Sequence, residues 1–138
     1  MNWTLEVVCV PVTDVDRAKT FYADTLGFNV DHDTAMGEMR IVQLTPPGSG
    51  CSVCIGTGLT KMTPGSVDGL QLVVADLPAA HAELTGRGAE IGPIQVYGRE
   101  GLRPPEQGED LHNVGFFFFA DPDGNSWAVQ QISTRPKG

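Results

Sequence analysis

Residues 115–131, GFFFFADPDGNSWAVQQ, restrict the fold more than any other stretch of this chain. Four consecutive phenylalanines cannot all face one side of a strand, because successive side chains alternate between its faces. Phe116 to Phe119 are therefore expected to fill two apolar environments, one on each face of a sheet. Asp121-Pro122-Asp123-Gly124 supplies a turn: proline sets φ, aspartate bonds locally, and glycine tolerates positive φ. Ser126 to Gln131 then alternates small or polar residues with large apolar ones, as a half-buried returning strand does. The stretch reads as a hairpin with one face on a core and the other lining something.

The rest of the chain shows what that hairpin completes. Leu5 to Val12 is nearly continuous in apolar residues and reads as a strand buried on both sides. Asp14 is placed to cap a helix whose apolar stripe is Val15, Ala18, Phe21, Tyr22 and Leu26, and Gly27 ends it. Phe28 to Asp33, Met39 to Leu44 and Cys51 to Gly56 follow as short strands separated by turn residues. After a connector containing Pro64 and Gly65, the order repeats. Gly69 to Val74 is a strand, and Asp76 caps a helix with stripe Leu77, Ala80 and Leu84 that Gly86 and Gly88 end. Ala89 to Val96 is a strand, Tyr97 to Leu111 a long Gly/Pro/Glu-rich loop, and the Phe hairpin closes the copy. The two capping aspartates stand about 62 positions apart, half the chain length, which argues for two βαβββ modules, 1–58 and 67–133, in a single domain. Each module covers one sheet face with its helix and leaves the other uncovered. An α+β fold is expected, with a curved mixed sheet around a central cleft suited to a ligand.

Composition removes several functions. A net charge of -8 disfavours nucleic acid, which calls for a basic face. There is no apolar run long enough to span a membrane and no signal peptide at Met1, so a cytoplasmic protein without a membrane partner is expected. Three cysteines then read as reduced thiols. Cys51 and Cys54 match a CxxC spacing, but in a strand-like run rather than at a helix start, so two small core residues are the plainer reading.

The segments VPVTDVDRAKTFYADTLGF and FADPDGNSWAVQQ resemble the vicinal oxygen chelate superfamily of glyoxalases, extradiol dioxygenases and bleomycin-resistance proteins, over essentially the whole chain. The resemblance implies paired βαβββ modules, a U-shaped cavity and commonly a homodimer. It specifies the fold better than the chemistry. Metal-dependent members carry a histidine seven residues before each capping aspartate, and these positions are Val7 and Gly69 here. The glutamate expected three residues after the turn asparagine is Ala128. Between Gln43 and Lys61 there is no Asp, Glu or His. Hard or borderline divalent ions need oxygen or imidazole donors, which Val, Gly and Ala do not offer, so no metal and no cofactor are expected. Glu6 and Asp68 lie one residue earlier than Val7 and Gly69. A one-residue slip sends a side chain to the other sheet face, which should point both away from the cleft.

By the family's alternation, Val7, Cys9 and Pro11 face the cleft from one module, and Gly69, Gln71 and Val73 from the other. Ser126, Ala128 and Gln130 face it from the last strand, with Trp127 and Val129 beneath the helix. Cys9, Gln71, Phe117, Ser126 and Gln130 are the candidate ligand-binding residues, although Gln71 and Gln130 serve equally well as solvated rim residues. Among the histidines, His32 reads as part of an exposed turn beside Asp31 and Asp33, and His81 as a helix-surface residue. His112 is the best-placed general base, with a plain loop histidine as the other reading. Two functions remain. One is a metal-independent protein that binds or sequesters a small hydrophobic or aromatic compound, its acidic charge favouring a cationic one. The other is a lyase, isomerase or dioxygenase of the same superfamily. A homodimer is expected because small sheet edges need cover.

Overall fold

The computed structural model describes residues 1–134. The chain forms two compact units, Met1–Val67 with Asp121–Asn125, and Asp68–Ala120 with the chain from Ser126. The fold is α+β: each unit has one mixed sheet and one main helix.

In the first unit, β1 (Val7–Cys9), β2 (Asn29–Met36), β3 (Met39–Thr45) and β4 (Ser52–Gly56) are ordered β1-β4-β3-β2. β1 runs parallel to β4, and the other pairs are antiparallel. The helix α1 (Val15–Thr20) starts where the Asp14 carboxylate accepts the Arg17 N–H at 3.1 Å, satisfying a donor that a helix start leaves free. It continues through one π-helical turn, Phe21–Thr25, and stops at Gly27, whose φ of 81° suits glycine. Ala18, Tyr22, Leu26 and Phe28 pack with Val42, Leu44, Val53 and Ile55 as the core.

In the second unit, β5 (Asp68–Val74), β6 (Gln95–Gly98), β7 (Gly101–Arg103), β8 (Gly115–Ala120) and β9 (Ser126–Gln131) are ordered β5-β9-β8-β6-β7. Again the parallel pair joins the first and last strands, β5 and β9. The Asp76 side chain caps α2 (Leu77–Gly86) through the Ala79 N–H at 3.1 Å. Under α2 lie Phe117, Phe119, Trp127 and Val129, with the Phe119 and Trp127 rings stacked 6.0 Å apart.

Four expectations change. The first strand is three residues long, not a strand buried on both sides from Leu5 to Val12. Leu5 is 75% exposed, and Pro11 has no N–H to extend a ladder. The strand expected from Ala89 begins only at Gln95, because Gly92 and Pro93 interrupt it. The long loop after Tyr97 contains β7, and Arg103 grips Glu109 through two bonds of 2.9 and 2.7 Å. Strand β2 runs on to Met36, so His32 and Asp33 lie inside it rather than in a turn at its end.

The Asp121–Asn125 turn connects β8 to β9 in sequence, yet it packs in the first unit. Asp121 accepts the Tyr22 hydroxyl at 2.7 Å, the Asn125 amide at 2.8 Å, and the backbone N–H groups of Asp123 and Asn125. Asn125 is fully buried; it donates to the Pro11 carbonyl at 2.8 Å and accepts from the Val67 N–H at 3.2 Å. Asp123 accepts the Thr13 hydroxyl at 2.6 Å. Buried polar groups must be bonded, and here each is bonded by a different segment. The residue types of this turn thus satisfy one another and three other segments of the unit.

Candidate functional site

Each sheet has a face toward its helix and a far face. In the first unit, Arg40, Val42 and Leu44 lie on the α1 side, where Arg40 bonds Asp16 of α1 at 2.5 Å. Alternation then puts Ile41, Gln43 and Thr45 on the far side, with their partners Cys54, Ser52 and Cys9. A β-bulge between Val30 and His32 adds one residue to β2. As a result Asp31 and His32 both reach the far face, although they are adjacent. Asp31 accepts the Thr45 hydroxyl, which also meets Ser52 at 2.6 Å, and His32 Nε2 lies 3.2 Å from Gln43 Oε1. The Thr45 hydroxyl, and after it the Asn29 amide, holds the Asp31 carboxyl below its ordinary value. Asp33 falls back to the α1 side, where Arg40 first and Lys19 second hold its carboxyl far below the ordinary range.

The far face of the second unit is aromatic. Phe116 and Phe118 stack in parallel with centroids 6.1 Å apart, and Tyr97 meets the Phe116 edge at 5.3 Å. Beside them runs an amide relay: Gln71 Nε2 donates to Gln130 Oε1, and Gln130 Nε2 donates to the Asn113 carbonyl at 2.8 Å. Ala128 lies opposite both Phe118 and Gln71, so this relay and the rings share one surface. At one end is a cavity of about 380 Å³ lined by Asp68, Gly69, Phe118, Ser126, Trp127 and Ala128, among others.

Of the candidates, Gln71, Ser126 and Gln130 thus share the far face of the second unit, and Cys9 lies on that of the first. Phe117 must be corrected. It pairs with Val129, is fully buried, and meets the His81 ring edge-on at 5.1 Å beneath α2. The residues on the far face are its neighbours Phe116 and Phe118. Counting back from Trp127 across the five-residue turn would have shown this, since Phe119 pairs with Trp127. His81 is likewise not a plain surface residue; its Nε2 lies 2.9 Å from the Gly92 carbonyl oxygen.

Asp68 is a second correction. A bulge at Gly69, with φ of 108°, lets Asp68 pair with Ser126 and share its face, so alternation fails at this point. The signal was the Asp-Gly pair at a strand start. His112 accepts the Ser133 N–H on Nδ1 at 2.9 Å. That bond occupies the lone pair a general base would use.

The positions that carry metal ligands in metal-dependent relatives hold Val7, Gly69 and Ala128, two of which line the cavity. None has a donor atom. Among the described residues no three His, Cys, Asp or Glu side chains converge as a metal site would require. Asp68 alone does not meet that requirement, so the residues present do not fit the family's metal.

The sequence profile of the Glyoxalase/Bleomycin resistance protein/Dioxygenase superfamily matches residues 4–129. The chain belongs to this superfamily. Among solved structures, it is similar to TnmS3, an antibiotic binding protein from Streptomyces sp. CB03234, with 29% identity over 96% of this chain and 98% of that one, TM-score 0.72. A glyoxalase/bleomycin resistance protein from the same organism also shares 29% identity, over 93% of this chain and 100% of that one, TM-score 0.69. A superfamily member from Sphaerobacter thermophilus shares 26%, over 94% and 98%, TM-score 0.71. A search of curated proteins returned no significant match. Among the described residues no helix is long and apolar enough to cross a membrane.

Proposed function

We propose that this protein binds a small, flat, aromatic and cationic compound without a metal, and holds it rather than transforming it. The observation that carries this reading is the far face of the second unit. There, stacked Phe116 and Phe118 and the Gln71–Gln130 relay adjoin a cavity whose family metal positions are Gly69 and Ala128. Stacked rings offer π-faces to a planar ligand, the amides fix its orientation, and Asp68 at the cavity offers a counter-charge to an ammonium or amidine. The net charge of -8 draws such a cation from a distance. The 29% identity to an antibiotic binding protein supports the same reading. We place this protein in the cytoplasm on account of its three free thiols, and as a homodimer because β1 and β2 are sheet edges.

Isothermal calorimetry against cationic glycopeptide and polycyclic aromatic antibiotics tests the proposal. The expected result is one ligand per chain, with affinity unchanged by chelators and weakened by Asp68→Asn. Absence of heat and of thermal shift across the whole set would reject it.

A further inference from the structure

Cys9 and Cys54 stand directly opposite each other in the parallel β1–β4 pair, on the far face of the first unit. Their register is held by the Val10 N–H, which donates to the Cys54 carbonyl at 2.9 Å. Neighbouring strands lie about 4.8 Å apart, within the range of Cα separations a disulfide spans, and residues in register project the same way. The two thiols are close enough to interact. Burial pushes the Cys54 thiol up, and the adjoining Cys9 thiol adds to this. Cys51 precedes β4, and its sulfur lies 3.8 Å from the Ser52 carbonyl oxygen instead.

We propose that Cys9 and Cys54 form a reversible redox pair whose oxidant is a hydroperoxide. Cys9 is half-buried and Cys54 buried, so Cys9 meets the oxidant first. The Cys9 sulfur, as thiolate, attacks the terminal peroxide oxygen and breaks the O–O bond. The thiol proton passes to the departing alkoxide or hydroxide, leaving a sulfenic acid on Cys9 and an alcohol or water. The Cys54 sulfur then attacks the Cys9 sulfur, the S–O bond breaks, and water leaves with the Cys54 proton. Two thiols lose two electrons in total and the peroxide gains them. Cys9 is only half-buried, and accessible bridges are the easily reduced, regulatory kind. Closed, it ties the three-residue edge strand β1 to β4 beside the Ser52–Thr45–Asp31 row.

The test is peptide mapping of the full chain after hydrogen peroxide, with free thiols alkylated and no reductant. Cys51→Ser removes ambiguity between the two cysteines near β4. In both the native chain and this variant, a peptide containing Cys9 should appear joined to one containing Cys54, and dithiothreitol should release it. Cys54→Ser should stop at a Cys9 sulfenic acid that dimedone traps; should that variant not fold, the mapping of the other two chains decides. Bridges that mainly involve Cys51 or a second chain, irreversible over-oxidation without bridging, or unreacted thiols would each overturn the proposal.

Discussion

The far faces of the two sheets come from the same strand pattern and carry opposite chemistry. The first presents hydroxyl, carboxylate, imidazole, amide and thiol groups: Thr45 and Ser52, Asp31, His32, Gln43, Cys9 and Cys54. The second presents the stacked Phe116 and Phe118, with an amide relay at their side. The cores of the helix-side faces differ less, both being packed with Val, Leu and aromatic residues, although the first also carries the Asp33–Arg40–Asp16 ion pairs. The constraint explains the contrast. Helix-side residues must fill a close-packed interior, which few residue types do. Far-face residues other than Ser52 and Cys54 are half-buried or exposed, and that constraint bears on them less. Both units use the same device to enrich this face. A β-bulge, at Asp31 in one and at Gly69 in the other, turns a carboxylate onto it.

The sharpest way to break the contrast between faces is to substitute adjacent phenylalanines on opposite sides of β8. Phe117→Ala should lower stability by about 4 kcal/mol, as loss of a buried ring does, and leave intrinsic ligand affinity within about twofold where the protein remains folded. Phe118→Ala should cost about 1 kcal/mol of stability and weaken an aromatic ligand roughly tenfold, in keeping with a lost ring stack. Urea denaturation and calorimetry on both variants read the two quantities, and equal effects would show the faces are not divided as described.

The turn comes next in size. Asp121→Ala removes the acceptor for Tyr22, Asn125 and two backbone N–H groups. With buried donors orphaned, stability should fall by about 3 kcal/mol or more, measured by thermal unfolding. Gly65→Ala follows at about 2 kcal/mol. A Cβ there would sit 2.2 Å from the Asp123 carbonyl oxygen, on a backbone with φ of 84°. A fully native melting temperature for Gly65→Ala would mean that the turn accommodates movement freely.

The smallest effect is that of pH at the β7 loop. Arg103 first, and the Glu106 N–H second, hold the Glu109 carboxyl down from 4.5 to about 2. A carboxylate with its folded value depressed contributes stability at pH above about 4.5, and that contribution disappears as pH falls toward 2. Glu109→Gln should therefore make the acid limb of the stability curve slightly shallower between those values. An unchanged limb would show the ion pair contributes nothing measurable, as exposed pairs sometimes do.

Much of the architecture is legible in particular residues. Asp14 and Asp76 announce both helix starts, Gly27 ends the first helix, and DPDGN marks the last turn. These are local signals, each acting through backbone groups within a few positions. The apolar stripe of α2 is legible too, except that His81 joins it, because imidazole packs on Phe117 while its nitrogen finds a carbonyl. The site was less legible. Alternation assigned Gln71, Ser126 and Gln130, but failed wherever one residue was inserted. Asp68 was therefore misplaced, because a bulge at Gly69 undoes the alternation between it and Gln71, and no residue pattern marks the bulge that brings Asp31 and His32 to one face.

By itself the sequence determined the repeat, the helix caps and the absence of donor atoms at Val7, Gly69 and Ala128, because each depends only on residue type and spacing. Tertiary structure decided the rest. It showed that Asp121 and Asn125 serve the first unit, that Cys9 meets Cys54, and that Gln71 shares a surface with the last hairpin. Such pairings depend on strand register between distant segments, and register is set by the packing of whole faces rather than by any local run of residues.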